Sequence, residues 1–318
     1  MVPSVSGLLL IYTQMYLLRF WGDVKYFSRA TSICHGDKWR DHSAMHIKKL
    51  HPDIAAEVRG VDIGSGIDIT TALDIKKALL EHLVLIFPSQ VVSESAQEEF
   101  CRHFGDLELV RSALSQDKEH PSVLLITNVS NTGKTTALED GEMMFHYDQC
   151  YYPNPCLGST LYALEVPRHG GNTLFANGFA AYERLPNEWK KRIEGLNAIH
   201  YYSYASDPTQ RPETLNPDAP QCSHAIVRKH PESGKKCLFV NRLMTIRVEG
   251  LKDLESDEIL SYLFSVLEDP EHIYEHVWTK GGLIMWDNRS SAHARNFFAP
   301  NERRMMRRVT IKDSLHRN

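Results

Sequence analysis

Two periodicities divide this chain. Residues 70–82, TTALDIKKALLEH, space their apolar side chains as one face of a helix and run straight into LVLIF, a short stretch with the composition of a buried strand. Upstream, MHIKKLHPDIAAEVRGVDI, from Met45, alternates in the manner of a strand. Ser95 and Glu98 have the spacing of a capping box, for a helix that closes at Gly105. Beyond Gly158 the pattern becomes a series of short β-like runs, at 159–166, 173–176, 224–228, 236–240, 273–278, 282–286 and 308–312. One helix is expected from Pro186, and another over 255–267 that stops before Pro270. Many short strands, few helices and no strict β–α alternation predict a mainly β fold. Two sheets with helices outside fit the pattern better than a doubly wound parallel sheet does.

The N-terminal text is different. GLLLIYTQMYLLRFW, residues 7–21, is apolar but broken by polar residues, which makes it poor as a spanning helix. No basic segment precedes it and no clear small-residue cleavage site follows, so a signal peptide is not expected either. Residues 1–44 are therefore predicted to be an extension outside the core, with the domain proper at 45–318.

With 318 residues, one large domain can bury a core without staples. The net charge of −4 provides no global basic field for nucleic acid or anionic membrane. Six cysteines lie scattered, with no CxxC, and read as reduced thiols in a cytoplasmic protein.

The chemistry begins in MMFHYDQCYY, residues 143–152, where a carboxylate sits inside a run of large apolar and aromatic side chains. Such a run reads as a buried or half-buried strand, and a buried carboxylate needs a compensating arginine, hydrogen-bond network or metal ion. On a strand, residues two apart share a face, so His146 and Asp148 point together while Tyr147 points away. A third ligand is available in LIMWDNRSSAHARNFFAPNERRMMRRVTI, where His293 follows an apolar strand. Two histidines and one carboxylate form the facial triad that binds Fe(II) and leaves coordination positions open. Arg304 and Arg308 are four apart and share a strand face, and arginine is the usual residue for gripping a carboxylate in a fork. His146, Asp148, His293 and an inward arginine thus specify a metal with an organic acid bound beside it. Each part alone has a bland reading, since HxD pairs, loop histidines and solvated arginine stripes are common. His169, His224, His230, His272 and His276 are read as surface or structural residues. A zinc hydrolase with the same ligands, and a non-catalytic acid-binding protein, remain open as rivals.

These motifs resemble the taurine / 2,4-dichlorophenoxyacetate dioxygenases, which depend on Fe(II) and 2-oxoglutarate. The similarity runs from about residue 47 to 313, through AAEVRGVDI, FCRHFGDLEL, the stretch from FHYDQCYY to YERLP, LFVNRLMTIRVEGL and GGLIMWDNRSSAHARNFF. The resemblance implies a distorted double-stranded β-helix, or jelly roll. It also implies that His146, Asp148 and His293 hold iron, and that Thr173 and Arg304 clamp the distal carboxylate of 2-oxoglutarate. Arg308 would face the substrate anion or the near carboxylate, and Phe145 would contact substrate. The expected reaction consumes O2, releases succinate and CO2, and hydroxylates a C–H bond, with cleavage where that carbon bears a leaving heteroatom. Departures from the taurine enzyme at Val110, Glu142 and Phe145 disfavour taurine itself. A small organic anion such as an aryloxyalkanoate is expected, with a sulfonate or alkyl sulfate as the alternative. Residues 111–142 would form a variable lid, and the family default is a homo-oligomer.

Overall fold

The computed structural model describes residues 45–110, 119–129, 144–202 and 216–314. The expected extension, residues 1–44, lies outside the described residues. Every described residue falls within the compact unit His42–Asn318.

A seven-stranded sheet forms the backbone of the fold. It contains β1 (His46–Lys49), β2 (Ala56–Arg59), β3 (Val84–Phe87), β4 (Val123–Thr127), β5 (Gly158–Glu165), β13 (Leu283–Asp287) and β15 (Met305–Ile311), in the order β1-β2-β3-β13-β5-β15-β4. Its pairings are antiparallel except β2 with β3. The period of two sorts its apolar side chains into two cores. Leu85, Phe87, Leu283, Met285, Val309 and Ile311 join one cluster with residues of α1 (Ile69–His82) and α2 (Glu94–Arg102). Val84, Ile86, Ile284, Trp286 and Met306 face the other way, into a cluster with Phe175 and Phe179.

Opposite lies a three-stranded sheet of β12 (Ile273–His276), β6 (Thr173–Asn177) and β14 (Ser291–Arg295), in that order. A second three-stranded sheet joins β11 (Thr245–Val248), β7 (Asn197–Tyr201) and β8 (Gln221–Ala225), and β9 (Val227–Lys229) pairs with β10 (Lys236–Leu238). Helices α3 (Gly178–Arg184), α4 (Asn187–Arg192) and α5 (Asp253–Leu267) complete the described elements. Leu260, Leu263 and Leu267 of α5 and Tyr182 of α3 share the third apolar cluster. The result is the expected mainly β jelly roll with flanking helices. Among the described residues no helix is long and apolar enough to cross a membrane.

Several local expectations need correction. The stretch 143–152 is not a strand: among its described residues only His146 makes a β-bridge, and the chain then turns, with Gln149 at φ 59°. The N-cap of α2 is Ser93, which accepts a hydrogen bond from Ala96 N at 3.1 Å. Glu98 makes no capping box; its carboxylate bonds Ser122 Oγ and lies 2.8 Å from His120 Nδ1. Within the range expected to form a lid, 123–127 is instead the edge strand β4, because VLLIT pairs with β15. The remainder of that range, apart from 119–129, lies outside the described residues. The run at 224–228 divides at buried Ile226, with β8 and β9 in separate sheets.

Candidate active site

His146 and His293 meet as a hydrogen-bonded antiparallel pair. Each backbone N–H donates to the other's carbonyl at 2.9 Å, so their side chains project from the same face. The ring centroids are 4.1 Å apart. His293 is held from behind by β6, where it is in register with Phe175.

Asp148 arrives by a different route. Asn288, fully buried in the turn between β13 and β14, grips the Asp148 backbone from both sides. Its Oδ1 accepts from Asp148 N at 2.7 Å, and its Nδ2 donates to Asp148 O at 2.8 Å and to Cys156 O at 3.3 Å. That turn is itself anchored by an ionic network. Arg289 donates to Asp287 from Nε and Nη2, and His230 Nε2 lies 3.0 Å from Asp287 Oδ2. Burial alone would raise the Asp287 carboxyl, but His230 and Arg289 hold it down at about 2. A charged clamp thus fixes the loop that places both Asp148 and His293.

One ligand atom from each of His146, Asp148 and His293 lies within 4.8 Å of the other two, and all three residues are buried. His146 Nε2 is 3.9 Å from Asp148 Oδ1, and His293 Nε2 is 4.0 Å from Asp148 Oδ2. These separations are too long for hydrogen bonds, yet short enough for bonds of about 2.0–2.2 Å to reach one ion. His146 Nδ1 lies 3.0 Å from Met144 O, which assigns the proton to Nδ1 and leaves the Nε2 lone pair facing Asp148. Two imidazoles and a carboxylate suit a divalent transition metal, and the donor set fits Fe(II).

The two histidines open on a cavity of about 490 Å³, counting its mouth. Thr173, Arg295, Arg304 and Arg308 also line it, with Ile126, Leu161 and Trp286 as apolar walls. Arg308 Nη1 donates to Asp148 Oδ1 at 3.1 Å. Arg304 is 5% exposed, and its Nε donates to Gly171 O at 3.2 Å. No ion pair involves Arg304 among the described residues, and burial, with Arg295 adding to it, pulls its guanidinium down to about 9. A buried cation lining a cavity is a site for an anion.

The four arginines near the C-terminus divide between different surroundings. Arg303 pairs with Glu165 on the surface, whereas Arg307 is buried against Gln97, Val92 O and Glu94 on the other side of the sheet. Arg304 and Arg308 face the cavity. Phe145 does not line it; its partly buried ring packs against the apolar cluster around Tyr147. Glu142 lies outside the described residues. Two residues that help build this site carry no sequence expectation: Asn288 and Arg295. Arg295 had a signal, because it stands two after His293 on one strand and so shares its face. Asn288 had none, since its contact joins segments 140 residues apart.

Comparison with known proteins finds similarity over most of the chain. The family model for taurine catabolism dioxygenase TauD, TfdA family, matches residues 46–310. The chain is 32% identical to the alpha-ketoglutarate-dependent 2,4-dichlorophenoxyacetate dioxygenase of Cupriavidus pinatubonensis, over 83% of this chain and 96% of that one. It is 31% identical to pentalenolactone F synthase of Streptomyces avermitilis, over 82% of this chain and 92% of the relative. Among solved structures, a taurine dioxygenase from Burkholderia xenovorans superposes with a TM-score of 0.73 at 27% identity, covering 85% of this chain and 90% of that one.

Proposed function

The chain belongs to the taurine catabolism dioxygenase TauD, TfdA family, and from that membership we propose which residues carry its chemistry and what it acts on. It is a 2-oxoglutarate-dependent dioxygenase that uses Fe(II) and O2. In our reading His146, Asp148 and His293 hold the iron. Thr173 and Arg304 hold the distal carboxylate of 2-oxoglutarate, and Arg308 faces the substrate. When bound, the metal and cosubstrate supply O2 activation coupled to decarboxylation of 2-oxoglutarate to succinate and CO2, and oxidation of a substrate C–H bond.

The residues of this chain do the positioning. The Nδ1–H of His146, donated to Met144 O, directs Nε2 at the metal position. Asn288 fixes the Asp148 backbone, while Arg308 and Ser159, each within 3.4 Å of its carboxylate, orient the oxygens. Arg304, buried where it lines the cavity, provides the charge for the cosubstrate. Ile126, Leu161 and Trp286 exclude water from the reacting centre.

The substrate we propose is a small organic anion, a carboxylate of the aryloxyalkanoate type. Charge supports it: three guanidinium groups line the cavity and one carboxylate borders it. The observation that carries the reading is the grouping of three metal-competent donors with buried Arg304 in one cavity. The test is succinate release with Fe(II), 2-oxoglutarate and ascorbate across aryloxyacids, sulfonates, alkyl sulfates and their neutral esters. Turnover confined to neutral substrates refutes the anion reading, and turnover with sulfonates or sulfates alone moves the class.

A further inference from the structure

Thr173 carries a contact that its role as an anion ligand does not require. The indole Nε1 of Trp278 donates to Thr173 Oγ1 at 2.9 Å, and both residues are buried. Among the described residues this is the one hydrogen bond to that hydroxyl. Indole nitrogen is a donor only, whereas a hydroxyl has one proton and two acceptor positions. An oxygen that accepts from the indole must direct its own proton elsewhere, and Thr173 lines the cavity.

The geometry around this pair removes the other freedoms. Threonine is β-branched and stiff at χ1, so its Oγ has few positions once the strand is fixed. β6 is the central strand of its sheet, in register with His276 of β12 and Arg295 of β14 at Thr173 itself. Trp278 is held in turn by the His276 ring, edge to face with centroids 4.6 Å apart. The one variable left is rotation of the O–H bond, and the indole closes one of the three staggered positions around the oxygen to the proton. Two residues upstream, Gly171 performs the matching task for Arg304. Its carbonyl takes the Arg304 Nε–H, and at φ +67° it leaves room that a Cβ would lose, 3.2 Å from Arg304 Cδ and 2.8 Å from Pro167 Cγ.

We propose that Trp278 is a positioning residue: through its indole N–H it commits the Thr173 hydroxyl to donate into the cavity, toward the distal carboxylate of 2-oxoglutarate. This rests on the assignment of Thr173 and Arg304 to that carboxylate. The site is then a pair of donors, each with its rotation fixed by a partner outside the cavity.

The test is anaerobic titration of Mn(II)-loaded protein with 2-oxoglutarate, and with pyruvate, a 2-oxo acid that lacks the distal carboxylate. Trp278→Phe deletes the N–H while keeping an aromatic ring, and should weaken 2-oxoglutarate about three- to tenfold, the worth of one oriented hydrogen bond. Pyruvate affinity should not change. Thr173→Val should weaken 2-oxoglutarate more, and adding Trp278→Phe to it should produce no further loss. If Trp278→Phe fails to fold, Trp278→Leu carries the same comparison. A Trp278 variant that binds 2-oxoglutarate as the parent does, while Thr173→Val binds it weakly, overturns the proposal. Equal loss for pyruvate, or full additivity with Thr173→Val, also overturns it, because either indicates general damage. If Thr173→Val binds 2-oxoglutarate normally, the underlying carboxylate assignment falls instead.

Discussion

Replacing Arg304 with methionine should leave the ligand-free protein as stable as before, or more stable, while destroying its response to 2-oxoglutarate. Large buried side chains normally cost several kcal/mol when changed, so the expectation is unusual and follows from the charge. Burial, with a contribution from Arg295, holds the Arg304 guanidinium at about 9 against an ordinary 12.5. At 1.36 kcal/mol per unit, that is a penalty of about 5 kcal/mol for keeping the cation in the empty cavity. The sign is that of a base with a lowered folded pKa. The unfolded chain binds the proton more tightly between pH 9 and 12.5, so the penalty is fully present at neutral pH. Against it stands the bond to Gly171 O, whose loss leaves a carbonyl unsatisfied at about 1–3 kcal/mol. The net expectation for Arg304→Met is therefore a gain of about 2–4 kcal/mol in urea unfolding of the Mn(II) form without keto acid. With 2-oxoglutarate at a hundred times its Kd, the parent should gain about 2.7 kcal/mol. The variant should gain nothing, because losing one partner of a buried ion pair weakens binding by about 3–5 kcal/mol. A clear loss of stability in the ligand-free variant would show that Arg304 is a structural cation. A retained 2-oxoglutarate shift would remove it from the cosubstrate site.

Three further expectations follow from the same geometry. Asp148→Ala should weaken Co(II) binding by about a hundredfold or more and abolish turnover; parental metal affinity by calorimetry would eliminate Asp148 as a ligand. Asn288→Ala removes three buried hydrogen bonds to the Asp148 loop, so it should cost about 3 kcal/mol in urea unfolding and weaken metal about 10–100-fold. Unchanged metal affinity in the folded variant would make Asn288 a loop anchor only. Burial holds His276 at about 4 rather than 6.5, so the unfolded chain binds the extra proton between those values and stability should fall as pH drops through that window. His276→Phe should remove about 2–3 kcal/mol of the parent's loss between pH 7 and pH 4.5, leaving the similar share of His224; an identical pH slope in the variant would be the contrary result.

How much of this was legible in the sequence depends on whether the cause was local. Strands β5, β6 and β13 were readable because their apolar residues are consecutive or alternating and their turns carry glycine. Helix α3, GFAAYER, was not: it is two turns long, and its Asn177 cap matters only once β6 delivers it there. Glu98 was misread as a cap partner because Ser122 and His120, which claim its carboxylate, are more than 20 residues away. Strand β4 was hidden inside a polar, glycine-containing stretch, and only the edge of β15 makes VLLIT a strand.

His146, Asp148 and His293 come together as expected, though not through the element expected. Strand geometry was the argument for His146 and Asp148 sharing a face, yet no strand exists there among the described residues. What brings them together is one residue of β pairing, His146 with His293, followed by a turn whose Asp148 is tied to Asn288. Asn288 belongs to the loop that starts β14, the strand carrying His293. The connection between β13 and β14 thus sets His293 through its strand, His146 through backbone pairing and Asp148 through a side-chain amide. The buried Asp287–Arg289–His230 network sits on that loop and on no ligand. Its cost in desolvated charge is consistent with holding one rigid body on which the geometry of the whole centre depends.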